Sequence, residues 1–122
     1  FASSNSLWRA TLETISFMPL LTADYGGGII VTDWYTSEED ENKSIKISIQ
    51  FLSNEVRADA LNIKVFKKNC QINRNCKIIN SQSELNSTLK LSILKTAAKF
   101  ERNKKKSNKR EYEVLEIPDK SQ

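Results

Sequence analysis

Histidine is absent from this 122-residue chain, and that single absence excludes whole classes of chemistry. Histidine is the commonest general base, the commonest metal ligand and the one side chain that unperturbed changes charge near neutral pH. Without it, no Ser-His-Asp or Cys-His catalytic arrangement can be assembled within the chain. Zinc sites of the Cys-His kind go the same way, and two cysteines cannot supply four thiolates. Carboxylates remain, yet no spacing among them singles out an acid-base couple, and the separation such a mechanism needs is not written in a sequence. The expectation is a protein that is not an enzyme, with no metal and no cofactor. A carboxylate hydrolase on a sheet rim is the catalytic alternative, and it needs two acids in one pocket.

Other residues are scarce as well. The only three glycines are consecutive, Gly26, Gly27 and Gly28, and the only prolines are Pro19 and Pro118. No apolar run approaches the roughly 18 residues of a membrane-spanning helix. No signal peptide is visible. The chain begins at Phe1 rather than Met, which reads as a trimmed form whose leader would leave no trace here.

The net charge is +4, but it is unevenly spread. Residues 99–110 hold Lys99, Arg102, Lys104, Lys105, Lys106, Lys109 and Arg110 against the single acid Glu101. The remaining 12 basic and 14 acidic residues leave the rest of the chain near neutrality. At this length the chain is about one domain, with apolar content for one core.

Reading along the chain, residues 3–17 predict an amphipathic helix. Ser3, Ser4 or Asn5 can cap it, and Trp8, Leu12 and Ile15 form its stripe. Pro19 stops it by lacking an amide proton and by pushing Met18 out of helical geometry. Residues 20–28 read as a loop, with the glycines at positive φ or at a close backbone approach. Ile29 to Tyr35 is β-branched and aromatic and predicts a strand. An acidic connector, residues 36–42, leads to the cleanest alternation in the chain. Ile45, Ile47, Ile49 and Phe51 point one way, and Lys46, Ser48 and Gln50 the other, as in an antiparallel strand with one wet face. Residues 60–68 repeat this with Leu61, Ile63 and Val65 inward; the outward Phe66 is placed to meet Trp34 across the sheet. An asparagine-rich hairpin tip at residues 69–75 and a short return strand at 76–79 follow. Ser81 and Glu84 then match a capping box opening a long helix, on which Leu85, Leu89, Ile93, Ala97 and Phe100 share a face. Past Phe100 the pattern dissolves into lysine, asparagine and serine. Residues 112–117 alternate acid with apolar and could pack on the body or extend the sheet.

Both helices must cover the one apolar face of a meander. The expected fold is therefore α+β, a two-layer sandwich: three or four antiparallel strands under an N-terminal and a long C-terminal helix. One domain is expected over residues 1–102, followed by a lysine-rich, partly disordered extension over 103–122.

Several stretches together carry a resemblance. Trp8-Arg9-Ala10, Phe17-Met18-Pro19-Leu20, Ala23-Asp24, the run from Gly28 to Tyr35, and Arg57-Ala58-Asp59-Ala60-Leu61 resemble a family of alphaproteobacterial proteins of unknown function. Its members are usually exported, often as lipoproteins with a cysteine near the mature N-terminus. The resemblance implies a periplasmic or membrane-anchored envelope domain, with another envelope protein as partner, and it implies no activity. The Cys70/Cys76 pair and the lysine-rich segment depart from the family pattern.

Each candidate site has a plainer reading beside it. The glycines could cradle a phosphate, but a Walker loop needs a following Gly-Lys-Ser/Thr and a helix, whereas a strand follows here. They read as a turn. Asp33, Trp34 and Tyr35 could form a partner site, an acid beside two amphipathic aromatics. In the plainer reading Trp34 packs under a helix or loop, and Asp33 accepts backbone or Arg57 hydrogen bonds. Arg57 and Asp59 read as a salt bridge or a turn cap before a functional pair. Cys70 and Cys76 could close a disulfide across the hairpin tip. The compartment implied by the resemblance favours that bond over free thiols. The cationic segment could bind anionic lipid or nucleic acid. It lacks the interleaved aromatics of single-strand binders, which disfavours nucleic acid, and a solvated helix end is the ordinary reading.

Overall fold

A computed structural model describes residues 5–72, 75–81 and 83–120, with backbone only from residue 108 onward. The first helix, α1, spans Ser6–Thr14. Asn5 caps it, its side-chain oxygen accepting from the Trp8 amide at 3.2 Å, as one of the three expected caps. The helix is shorter than residues 3–17 suggest. It closes at Ile15, and the Met18 amide then donates to the Ile15 carbonyl in a turn at 3.0 Å. Ile15 and Met18 are both buried, so the chain reverses over its own apolar side chains before Pro19 can act.

Among the described residues six strands follow: β1 (Leu20–Asp24), β2 (Ile29–Thr32), β3 (Tyr35–Thr36), β4 (Lys43–Phe51), β5 (Leu61–Cys70) and β6 (Cys76–Ser81). They form one antiparallel sheet in the order β1-β2-β4-β5-β6, with β3 also paired to β4. The sheet thus has more strands than the three or four read from the pattern, for two reasons. First, the segment expected to be a loop contains β1. All five of its residues are exposed, so it carries no apolar alternation, and backbone pairing to β2 alone makes it a strand. Second, the expected strand from Ile29 to Tyr35 is broken. The Asp33 amide still donates to the Pro19 carbonyl at 2.9 Å, in register with Leu20 opposite Thr32, but pairing with β4 lapses after Val31 and resumes, shifted by one residue, at Tyr35.

The β1–β2 hairpin shows what the glycines do. Gly28 has φ +66°, and a Cβ there would sit 3.2 Å from the Phe51 carbonyl oxygen. The same residue's carbonyl accepts from the Phe51 amide at 2.8 Å. Left-handed backbone and close approach meet at this one position.

The second helix, α2, runs Glu84–Lys120. Ser81 ends β6 opposite Val65, so the expected capping box does not form. Leu89, Ile93 and Ala97 are buried, with Leu85 and Phe100 half-buried against them, as the helical spacing predicts. Beyond Phe100 the backbone stays helical to Lys120, so residues 112–117 do not extend the sheet. Lysine, arginine and glutamate are good helix formers, and a helix nucleated on a core propagates without a new nucleus.

Both helices contribute to one core. Leu7, Ala10, Ile30, Ile49, Val65, Ile93 and Ala97 are fully buried in a single cluster. Each such branched aliphatic side chain contributes about 2 kcal/mol of burial. The helices are tied to each other where the Ser6 hydroxyl donates to Glu101 Oε1 at 2.7 Å and the Arg9 guanidinium lies 4.0 Å over the Phe100 ring. The architecture is the α+β arrangement expected, with a larger sheet.

Candidate functional site

Alternation divides every strand between the helix-bearing face and its opposite. Pairing puts Ile29 and Val31 of β2, Lys46 and Ser48 of β4, Lys64, Phe66 and Lys68 of β5, and Ile78 of β6 on the second face. None of these apolar residues belongs to the core cluster, and among the described residues no helix packs over them. This open face therefore mixes apolar side chains with three lysines.

Trp34 completes it. The residue sits in the break between β2 and β3, half-buried. The Lys68 ammonium lies 4.4 Å from its ring centroid and that of Lys46 5.7 Å. Lys46 is in turn the cross-strand partner of Phe66, so Trp34 and Phe66 share a lysine between them. A cation held over an indole face contributes about 0.5–1 kcal/mol at an exposed site. The plainer expectation put Trp34 under a helix or loop, and its ring contacts place it instead with the lysines of the open face.

The expected trio of Asp33, Trp34 and Tyr35 is divided. Asp33 is exposed and its Oδ1 accepts from the Trp34 amide at 2.8 Å, a local bond that sets the turn. Tyr35 pairs with Ile45 and packs edge-on against Phe17 at 5.3 Å between centroids, on the helix-bearing side. Trp34 alone reaches the open face.

Arg57 does not approach Asp33. Its guanidinium pairs with Glu55 at 2.9 Å and Asp59 at 3.0 Å, with all three side chains more than half exposed. This cluster adjoins the start of β5, whereas Trp34 sits near the far end. The two are separated by six residues of β4, about 20 Å at strand spacing. Arg57 and Asp59 form a surface ion pair, which is worth little in stability.

Cys70 and Cys76 are bonded, directly opposite in register with Cα atoms 4.0 Å apart. Lys99, Arg102, Lys104, Lys105 and Lys106 are exposed along α2; the side chains of Lys109 and Arg110 lie outside the described set. Among the described residues no three acids or cysteines gather as metal ligands. No described helix is long and apolar enough to cross a membrane. Alternation already places Lys46 and Phe66 outward. The part of the site hidden from sequence reasoning is Lys68, which the pairing of β4 with β5 brings under Trp34.

A family profile described as "Domain of unknown function (DUF3576)" matches residues 1–102, and the chain belongs to that family. A stretch of 62 residues is 40% identical to "Uncharacterized protein RP420" of Rickettsia prowazekii (strain Madrid E). The match takes in 51% of this chain and 37% of the relative, so the chain spans well under half the length of the curated protein it resembles. No solved structure matches it.

Proposed function

We propose, from a family membership that brings no activity with it, that this domain is a non-catalytic binding module of the cell envelope. In this reading it is exported, held in the periplasm or at the membrane by a lipidated residue upstream. It acts by docking an acidic surface of another envelope protein on its open sheet face. The observation that carries this is Trp34, stationed on an uncovered face between Lys46 and Lys68. Aromatic side chains beside cations make strong anchors in interfaces, because they bury a large rigid surface at small entropic cost. The three lysines of that face select an acidic partner. The Cys70–Cys76 bond suits an oxidising compartment.

The test is a photo-crosslinking residue at Phe66 in cells expressing the full precursor, with adducts identified by mass spectrometry. One dominant envelope protein is expected, and it should be lost with Trp34→Ala and with Lys68→Glu. Adducts unaffected by both substitutions would refute the reading, and so would a precursor that fractionates wholly with the cytosol. A second reading rests on the exposed cations of α2, which could meet an anionic lipid surface at about 1 kcal/mol per cation. Lys104→Gln with Lys105→Gln and Lys106→Gln should then abolish a salt-sensitive attachment to phosphatidylglycerol vesicles. Attachment that survives these changes would dismiss it.

A further inference from the structure

We propose that the uncovered end of the helix-bearing sheet face is a binding site for an anionic amphiphile, a molecule with a carboxylate or phosphate head and an apolar tail. Helix α2 starts after β6 has reached the Val65 row and turns back toward Ile63, to whose carbonyl the Asn86 amide group donates at 3.1 Å. The sheet continues two rows further the other way, past Val65, and among the described residues no helix lies over it. There Lys43, Ser44, Ile45, Lys67, Asn69, Lys77 and Ile79 help line a half-open cavity of about 460 Å³.

The register makes the cavity chemically ordered. Ile45, Lys67 and Ile79 form one row across three strands, and Lys43, Asn69 and Lys77 form the next. The first row is apolar at both ends and continues toward Tyr35 and Phe17, which suits an alkyl tail. The second is a cation, an amide and a cation. Its outer members lie two strand spacings apart, about 10 Å, which two lysine side chains can span to grip one anionic head. Among the described residues no acid lines the cavity.

The lysines are not equivalent. Lys43 already meets Asp40 at 3.7 Å, and Lys68 has turned its ammonium to Trp34 on the other face. Lys67 and Lys77 have no ion-pair partner among the described residues, so they are the cations available to a ligand. The Cys70–Cys76 bond sits one residue beyond the second row and holds Lys77 opposite Asn69. An anion alone would gain only exposed charge contacts there, and an uncharged tail would leave the lysines unused. The combination matches an amphiphile.

The site is tested by calorimetry and amide chemical shifts on the intact chain with dodecyl phosphate below its micellar concentration. Inorganic phosphate and dodecyl maltoside serve as head-only and tail-only probes. Dodecyl phosphate should bind at least about tenfold more tightly than either probe, with shifts confined to the two rows. Lys67→Gln with Lys77→Gln should weaken it about tenfold or more, while Lys90→Gln with Lys95→Gln, away from the cavity, leaves it unchanged. Equal binding of inorganic phosphate or of the maltoside overturns the proposal, as does indifference to the Lys67/Lys77 pair. Vesicles of phosphatidylglycerol and phosphatidylcholine separate the sources. Capture lost with the Lys67/Lys77 pair assigns the head to a bilayer lipid, and binding of monomers without capture assigns it to a free amphiphile; both outcomes support the site.

Discussion

Thr32 is a polar residue with no exposure at all, and its hydroxyl has a defined task. Strand β2 pairs Val31 with Ser48 and Ile30 with Ile49. One position further, the chain turns away toward Asp33. The Ile47 amide would then lose its acceptor inside the core, since Ile47 is 1% exposed. Thr32 Oγ1 accepts from it instead at 2.9 Å. Thr32→Val keeps the shape and removes only the acceptor, so the full penalty of an unpaired buried amide applies, about 2 kcal/mol. Thr32→Ser keeps the acceptor and loses one buried methyl, costing about 1 kcal/mol. For a domain of this size 2 kcal/mol lowers Tm by roughly 6–12 °C. Urea unfolding at unchanged m would measure both variants, and amide exchange would show Ile47 losing protection in Thr32→Val. If Thr32→Val were as stable as the parent, or if Thr32→Ser were the worse of the two, the role given to the hydroxyl would be refuted.

Three further outcomes follow from local geometry. Replacing Cys70 and Cys76 by alanine frees a short loop and should cost about 2 kcal/mol, read as a lower urea midpoint than the oxidised parent; an unchanged midpoint would show that pairing of β5 with β6 needs no crosslink. Gly28→Ala forces a side chain into φ +66° and to 3.2 Å from the Phe51 carbonyl, a loss of about 1–3 kcal/mol, whereas Gly26→Ala, whose added Cβ comes no closer than 3.7 Å to Asp24, should be mild. Asn5→Ala removes the cap on α1 and should cost about 1 kcal/mol, with Asn5→Asp retaining most of it in thermal melts.

Much of the fold was legible because burial follows period. The alternation of Ile45, Ile47, Ile49 and Phe51 gave β4, and the spacing of Leu89, Ile93 and Ala97 gave the buried face of α2. Strand β1 was illegible for the converse reason. It lies at an edge with both sides wet, so no pattern distinguishes it from a loop. The break at Asp33 and Trp34 was hidden because β-branched and aromatic residues suit a strand wherever they stand, and only the one-residue shift of register on β4 between Val31 and Tyr35 reveals it.

Chemical exclusions, helix faces, strand faces and the outward stance of Lys46 and Phe66 all follow from the residues themselves. They depend on which atoms a side chain has and on the short-range geometry of a helix or strand. Which strands become neighbours, and in what register, depends on contacts between residues far apart in the chain. That pairing brought Lys68 beneath Trp34, sent Tyr35 to the other side, kept Arg57 away from Asp33, and set Lys67 and Lys77 beside two isoleucines at the open end of the sheet.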